Sequence, residues 1–461
     1  MLKPTNDPVA DSRPARASLA SWFALGVVIL AVLLAYLDKQ IMVLVVEPLK
    51  HELHLSDLQI GSVQGIGPAL LAVVAGFPLA LLADRYDRRF VFCGAILFWS
   101  GAMAAIGLAQ SFSQLMIFSV ALAIGESVLT PIMYSLIPDL FSGRQREFAN
   151  LVMMAALKIG VGLALMLGGA MVALAPGIRH LAPSGLQDLS DWRLIFLVLA
   201  LSGILVGALV LAIRTRPKAA LVGGLSIAGS GRFLPFVRKH WVPFALVYGG
   251  AGLWAFAMSA LSVWLPVALI REFGAQPADV GVRFGSSFSI GGALGVFLAM
   301  LTLPFWRKWG GRTYVLRSLG VCVALAAVGI GGLWLARDPN QIYLVLGIVF
   351  VALFCGTAFT PTMLQDMAPA PLRARTTAVA MIIYTAIGSS APMVVGAISD
   401  RHLFAARPLL ASVIICAAGS LLAAAVLYRL TEKPFARLLD DIAAGDAEPD
   451  ISGPFPLAEP A

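Results

Sequence analysis

Charged residues are scarce in this chain of 461 residues, at 13% of the total, whereas hydrophobic residues make up 59%. A soluble globular protein carries roughly 25% charged and about 45–50% apolar residues, and a single buried core stops growing near about 250–300 residues. The composition therefore excludes an ordinary soluble enzyme, a disordered chain and a nucleic-acid-binding module, although the formal net charge is +8. We expect a membrane protein whose positive charge reflects the side of the membrane on which its loops lie.

Cysteine and histidine are also few, with four and five residues respectively. The cysteines all lie in apolar runs without a CxxC pair, so we expect small core residues and neither disulfides nor a metal site. The histidines are scattered in loops or at span ends, and the motifs HExxH, GxSxG and GxxxxGK[ST] do not occur. We therefore expect no enzyme, no cofactor and no nucleotide-driven pump.

Twelve stretches are long and apolar enough to cross a bilayer, which requires about 20 mostly apolar residues. They predict an all-α membrane protein with transmembrane helices at residues 22–46, 58–82, 90–109, 112–137, 147–174, 193–213, 241–270, 279–304, 314–336, 341–363, 374–399 and 407–430. The longest gap between spans, 214–240, divides the chain into two halves of six. Such a duplicated arrangement is typical of secondary transporters with a site near the middle of the membrane.

The distribution of lysine and arginine predicts the orientation. With the amino terminus placed inside, 23 of the 33 basic residues lie in inside segments, 8 in outside segments and 2 within spans. The positive-inside rule then places both termini in the cytoplasm. The predicted organisation is a cytoplasmic tail, a first bundle, a cytoplasmic linker, a second bundle and an acidic tail, at residues 1–21, 22–213, 214–240, 241–430 and 431–461.

The gap between spans 2 and 3 contains the motif Ala83-Asp84-Arg85-Tyr86-Asp87-Arg88-Arg89. It resembles the signature loop of the major facilitator superfamily, and other stretches in both halves agree with that superfamily. The resemblance implies the major facilitator fold, with two pseudo-symmetric six-helix bundles working by alternating access. Because acidic and basic side chains at helix ends can pair and close one side of a transporter, we expect a cytoplasmic gate formed by Asp84, Arg85, Arg88, Arg89, Asp139, Arg146 and Arg373.

Spans 1 and 4 carry a narrower resemblance. The motifs are Tyr36-Leu37-Asp38-Lys39-Gln40-Ile41 in span 1 and Gly125-Glu126 in span 4. They are similar to those of spinster-like transporters, a family that includes exporters of sphingosine-1-phosphate and lysophospholipids together with bacterial relatives. That family usually has arginine where Lys39 stands, and a further arginine shortly before the Gly-Glu pair, whereas residues 119–123 are uncharged here.

Four ionisable residues fall deep within the spans of the first half, namely Asp38, Lys39, Glu126 and Lys158. A lysine or aspartate at the centre of a span costs roughly 2.5–3.5 kcal/mol on insertion scales, so it usually faces a partner or a cavity. We predict that Asp38 and Glu126 are protonation sites. Lys39 is the first candidate for contact with a substrate anion, and Lys158 is the second, in place of the missing arginine. A purely structural ion pair between Lys158 and Glu126 is the alternative.

The second half offers an apolar and aromatic lining instead. We predict that Trp254 and Met258 of span 7, Phe354 of span 10 and Tyr384 of span 11 line the substrate site. One charged wall and one apolar wall would suit an amphipathic anion.

These features together predict a proton-coupled secondary transporter for an amphipathic anionic small molecule, such as a lysolipid or a sphingolipid-like compound. The first alternative is a carrier of a polar organic anion such as a sugar acid, and a substrate-sensing membrane receptor on the same scaffold is another. We expect a monomer in the bacterial inner membrane whose partners are substrate, protons and the lipid bilayer, without nucleic acid.

Overall fold

Helices form the frame of the molecule. The computed structural model describes residues 18–213, 230–369, 372–404 and 406–444 and has no strand within them. The helices of the first half are α1 (Leu19–Leu44), α2 (Val46–Leu53), α3 (Asp57–Gln64), α4 (Ile66–Arg85), α5 (Arg88–Gly107), α6 (Phe112–Glu126), α7 (Leu129–Leu140), α8 (Gly143–Leu181) and α9 (Asp191–Leu211). Those that follow are α10 (Ser230–Lys239), α11 (Trp241–Phe273), α12 (Pro277–Gly310), α13 (Tyr314–Gly332), α14 (Pro339–Thr357), α15 (Thr360–Asp366), α16 (Arg373–Ser399) and α17 (Pro408–Ala443).

The prediction of an all-α membrane protein with twelve spans is confirmed. Within the described residues, 10 segments are long and apolar enough to cross a membrane. One of them, Pro277–Leu335, contains two passes, α12 and α13. Span 4 is missing from the 10 because it is broken after Glu126 and its first part, α6, is short. Spans 2 and 10 are broken as well, into α3 with α4 and α14 with α15.

The breaks in spans 4 and 10 have the same cause. Pro131 and Pro361 lie within the first turn of α7 and α15, and a proline offers no N–H to continue the hydrogen bonds of the preceding helix. Four residues before each proline, a hydroxyl bonds back to its own helix. Ser127 Oγ donates to the carbonyl of Ile124 at 2.7 Å, and Thr357 Oγ1 donates to that of Leu353 at 3.0 Å. The two halves therefore repeat this bend at matching positions.

The two halves pack along α3 with α16 and along α8 with α12. The second contact is close, because a methyl group on Gly162 of α8 would collide with Ser289 of α12. Small residues allow such close approach of helices in a membrane. Because the number of spans is even, α1 begins and α17 ends at the same end of the bundle, which we call the tail face. The opposite end, where α3 begins and α16 ends, is the Asp57 face.

The predicted tails and linker lie partly outside the described residues. The described residues exclude 1–17, 214–229 and 445–461. The last of these ranges makes up most of the predicted acidic tail. The end of the predicted linker forms α10, and α17 continues past residue 430 to Ala443 with Phe435 and Leu438 buried. The first part of the predicted carboxy-terminal tail is therefore a continuation of the last span helix.

Candidate substrate cavity

A cavity of about 440 Å³ lies between the two halves. The first half supplies walls from α1, from the break between α3 and α4, and from α6, while the second half supplies Thr385 of α16. Half of the lining residues are glycine, alanine or proline, and the lining continues along α4 to Gly76, toward the tail face. The polar lining residues are Lys39, Gln64, Glu126, Ser127 and Thr385. A largely apolar wall with a few converging polar groups is the usual composition of a small-molecule site.

An ion pair between spans 1 and 4 forms the charged part of this wall. Lys39 Nζ lies 2.8 Å from Glu126 Oε2. The lysine side chain is 60% exposed although it lies within an apolar span, whereas that of the glutamate is 6% exposed. The ammonium therefore faces the open cavity and the carboxylate is set into the wall. Oε1 of Glu126 is buried and has no hydrogen-bond partner among the described residues, so the carboxylate keeps one acceptor available for a ligand or a proton.

Asp38 is buried beside this pair, within electrostatic range of Glu126. Its Oδ1 has no hydrogen-bond partner in the described part of the chain, and the same holds for Oε1 of Gln40 and Nε2 of Gln64. Leaving a buried polar atom without a partner costs about 1–3 kcal/mol. Of the unsatisfied groups, Gln64 and Glu126 line the cavity, which is the condition expected where a ligand or a proton completes the bonding.

The other predicted lining residues fall into two groups. Trp254 and Tyr384 stack on each other with ring centroids 6.2 Å apart, and Nε1 of Trp254 has no described partner. Met258 and Phe354 are buried in the hydrophobic core. The side chain of Lys158 lies outside the described part of the structure. The structure thus brings Lys39 and Glu126 together, and separately Trp254 and Tyr384.

A charge network joins the two halves at the Asp57 face. Arg271 of α11 donates from Nη1 and Nη2 to the two carboxylate oxygens of Asp57 at 2.7 and 2.9 Å, and from Nε to Glu47 at 2.8 Å. Lys50 also donates to Asp57, at 2.5 Å. Although both residues lie near span ends, pairing across the halves leaves the side chains of Glu47 and Arg271 only 20% and 21% exposed.

Asp400 also helps to shut the Asp57 face, because its carboxylate accepts hydrogen bonds from backbone N–H groups of the first half. Its Oδ1 accepts the N–H of Asp57 at 2.9 Å and its Oδ2 accepts the N–H of Leu58 at 2.8 Å. These two N–H groups begin α3, so a carboxylate of the second half caps a helix of the first half. One turn further on, a methyl group on Gly61 would collide with the carbonyl of Pro392. The cavity is therefore shut at the Asp57 face by direct contact between α3 and α16.

The predicted gate residues at the tail face make their described contacts within their own half. Arg89 Nη2 donates to Asp87 at 2.7 Å, and this hydrogen bonding lowers the pKa of Asp87 against a smaller opposing effect of burial. Arg373 Nε donates to the carbonyl of Ala368 at 3.1 Å, and Arg146 is exposed near the start of α8. The side chains of four further gate residues lie outside the described part of the chain: Asp84, Arg85, Arg88 and Asp139.

A second polar cluster ties the end of α2 to the start of α9 within the first half. Glu52 accepts hydrogen bonds from Ser190 Oγ at 2.6 Å, Trp192 Nε1 at 2.6 Å and Arg193 Nε at 2.7 Å. Burial raises the pKa of Glu52, but the three donors outweigh burial, so its pKa lies below the ordinary value. The cluster holds the Asp57 face of the first half together, independently of contacts with the second half.

The residues that shut the Asp57 face have no distinctive local pattern in the sequence. Asp57 and Asp400 lie 343 positions apart in the chain, and each looks like an ordinary acidic residue at a span end. The available signal was the position of an aspartate at a helix end, where a basic residue or a helix amino terminus is a favourable partner. That signal does not reveal which helix end supplies the partner.

Comparison with known proteins shows which family and which relatives this chain resembles. The model of the Major Facilitator Superfamily matches residues 28–392. An MFS-type efflux pump of Mycolicibacterium smegmatis is 26% identical over 430 residues, which cover 90% of this chain and 94% of the relative. A sphingosine-1-phosphate transporter of Xenopus tropicalis is 25% identical over 408 residues, covering 84% of this chain and 74% of that protein.

A solved structure agrees on the fold. The crystal structure of a bacterial homolog of the human lysosomal transporter spinster, in an inward-facing and occupied conformation, matches with a TM-score of 0.72 at 22% identity, covering 90% of this chain and 96% of that one. The resemblance to spinster-like transporters that spans 1 and 4 predict is thus confirmed. Because the family model covers well over half of its length, the chain belongs to the Major Facilitator Superfamily of membrane transporters.

Proposed function

We propose that this protein is a proton-coupled secondary active transporter that moves an amphipathic anionic small molecule, such as a lysolipid or a sphingolipid-like compound, by alternating access. The observation that carries the proposal is the ion pair of Lys39 and Glu126, 2.8 Å apart in the wall of a cavity that both halves share. The similarity to a sphingosine-1-phosphate transporter supports an apolar moiety in the substrate. The stacked pair of Trp254 and Tyr384 agrees with it, because Tyr384 directly precedes Thr385 of the cavity wall.

The ion pair offers a direct way to couple an anion to a proton. An anion that enters the cavity meets the exposed ammonium of Lys39 before it meets the recessed carboxylate of Glu126. If the ammonium turns to the anion, Glu126 is left buried without its cation, and burial favours the protonated form of such a carboxyl group. Binding of anion and proton is then linked through one lysine. Asp38, buried beside the pair, is the second proton acceptor in this scheme.

The two faces of the bundle supply the alternating access. The Asp57 face is shut by Arg271, Asp57 and Asp400, whereas the lining of the cavity runs along α4 toward the tail face. The excess of basic residues assigns the tail face to the cytoplasm. In the proposed orientation, the cavity faces the inside of the cell and both termini are cytoplasmic, in a protein that we expect in the bacterial inner membrane. Transport then requires the Asp57 network to break while the tail face closes.

Purified protein in liposomes with an imposed pH gradient tests the coupling. A panel of lysolipids and organic anions is offered, and both net movement and exchange of labelled against unlabelled substrate are measured. In Glu126→Gln, which carries no titratable group, net movement should no longer respond to the pH gradient, while exchange continues at least in part. Glu147→Gln makes the same chemical change at an exposed position on α8 and should respond to the gradient like the parent.

Two outcomes contradict the proposal at different levels. If Glu126→Gln responds to the pH gradient as the parent does, Glu126 is not the coupling site. If the parent catalyses no exchange of any substrate in the panel, the protein is not a carrier for these compounds, and the receptor alternative gains support because a receptor moves no substrate.

A carrier of a polar organic anion is the second candidate. The observation that favours it is the polar part of the cavity lining, where Gln64, Ser127 and Thr385 offer hydrogen-bonding groups in the same cavity as Lys39. Such a carrier should transport a sugar acid in the liposome assay and should not transport lysolipids.

A further inference from the structure

A surface groove of about 740 Å³ lies at the Asp57 face of the second half, apart from the central cavity. It runs between the turn that follows α13 and the segment that leads into α17. Trp334 and Phe404 meet edge-on across these two segments, with ring centroids 5.7 Å apart. None of the residues lining the groove belongs to the central cavity or to the Asp57 network.

Two arginines stand at the mouth of the groove. Arg407 is held in place, because Nη1 donates to the carbonyl of Ala336 at 2.6 Å and the guanidinium lies 4.3 Å over the ring of Phe273. Arg337 is exposed, and its guanidinium has no ion-pair partner among the described residues. The mouth therefore presents the guanidinium of Arg407, which is held in place, and that of Arg337, which has no ion-pair partner among the described residues.

The nearest acidic residues are already engaged. Asp338 accepts the N–H groups of Asn340 and Gln341 and so caps α14. Glu272 accepts the N–H groups of Leu409 and Leu410 and so caps α17. Both carboxylates bond to helix amino termini, and neither forms an ion pair with Arg337 or Arg407 among the described residues, so both guanidinium groups can still bind an anion from outside the protein.

The groove continues from this basic mouth along the first two turns of α17. Leu410, Ala411 and Ile414 form its floor on successive turns of α17. Ile414 lies six residues beyond Pro408, which places it about 9 Å deeper along the helix. Exposed Leu335 and Leu403 flank the mouth. Tryptophan and arginine at the level of the headgroups, above an apolar floor, match the shape of a lipid with an anionic head.

We propose that this groove binds an anionic phospholipid from the surrounding leaflet. Its phosphate contacts Arg337 and Arg407, and one acyl chain lies along the floor formed by α17. Charge complementarity selects this occupant over a zwitterionic lipid, because a choline cation would lie against two guanidinium groups. The bound lipid would join the loop between spans 9 and 10 to the loop between spans 11 and 12. This site is independent of the transport scheme.

Native mass spectrometry of the full chain, titrated separately with phosphatidylglycerol and phosphatidylcholine, tests the proposal. The parent should hold one phosphatidylglycerol more tightly than phosphatidylcholine. Arg337→Gln should weaken phosphatidylglycerol binding about fivefold, the effect of about 1 kcal/mol for one basic residue near the membrane surface. Arg337→Lys should restore most of the affinity. The matched control is Arg401→Gln, which removes an exposed arginine of the same face outside the groove and should bind like the parent.

Equal affinity of the parent for the two lipids, or undiminished phosphatidylglycerol binding in Arg337→Gln, would overturn the proposal. Thermal unfolding without added lipid shows that Arg337→Gln is folded, which is expected because the guanidinium has no ion-pair partner there to lose. Lys39→Ala is titrated in parallel, and it should retain the phosphatidylglycerol whatever happens to transport. Loss of the lipid in Lys39→Ala would place it in the central cavity and would also overturn the proposal.

Discussion

Replacing Asp400 by asparagine should favour opening of the Asp57 face. In the parent, the two carboxylate oxygens of Asp400 accept the N–H groups of Asp57 and Leu58 at 2.9 and 2.8 Å, across the interface between the halves. Asparagine keeps one carbonyl oxygen but turns an NH₂ group toward the second N–H, so at least one of these bonds is lost. The negative charge at the start of α3 is lost as well.

The size of the effect follows from these contacts. A hydrogen bond to a charged group contributes about 1.5–3 kcal/mol, and a charge at a helix amino terminus contributes about 0.3–1 kcal/mol. Only part of this total distinguishes the closed from the open state, because water bonds to the same groups once the face opens. We therefore expect a shift of about 2 kcal/mol, which is about 30-fold in the equilibrium between the two states.

Distances between spin labels measure that equilibrium. Labels at His51→Cys and Arg401→Cys lie on exposed positions of the two halves at this face, in a background with the natural cysteines replaced. Asp400→Asn should move population from the short to the long distance, and Asp400→Ala should move at least as much. Asp338→Asn is the matched control, since Asp338 also caps a helix, α14, but within a single half. Identical distributions for the parent and Asp400→Asn, or an equal shift in Asp338→Asn, would refute the reasoning.

Two further predictions concern the first half. Lys39→Arg should reduce transport only mildly because it keeps the cation beside Glu126, whereas Lys39→Ala should reduce it severely; equal mildness of the two in the liposome assay would remove Lys39 from the anion contact. Glu52→Gln should lower the unfolding temperature near neutral pH, because the pKa of Glu52 lies below its ordinary value and the ionised form therefore stabilises the fold. That contribution is lost as the pH falls through the lowered pKa, so thermal unfolding should show the difference between Glu52→Gln and the parent shrinking in acid; a difference independent of pH would contradict the assignment.

The architecture was accessible from the sequence because a bilayer imposes a simple rule. Every span must be apolar over about 20 residues and must satisfy its backbone internally, so hydropathy predicted the twelve helices. The buried charges were accessible for the same reason, since an ionisable residue in such a span is conspicuous. The structure pairs Glu126 with Lys39, which the sequence indicated as a nearby cation but did not distinguish from Lys158 as a partner.

Two features of the structure could not be predicted from the sequence, for physical reasons. In a membrane every face of a helix is apolar, so periodicity did not tell that Met258 belongs to the packed core while Trp254 stacks on Tyr384. The closure of the Asp57 face depends on contacts between residues far apart in the chain. Asp57 and Asp400 lie 343 positions apart, and no local pattern in the sequence encodes their pairing.

Spans 4 and 10 bend at matching positions, but the residues directly before the two bends differ in charge. Glu126 directly precedes the bend at Ser127, and the corresponding residue before Thr357 is Gly356. Directly before its bend, span 10 therefore has no titratable group. A methyl group at Gly356 would already press against the side chain of Cys322. Under the proposed proton coupling, mutations that stiffen either bend should slow transport, whereas only those beside Glu126 should change its response to the pH gradient.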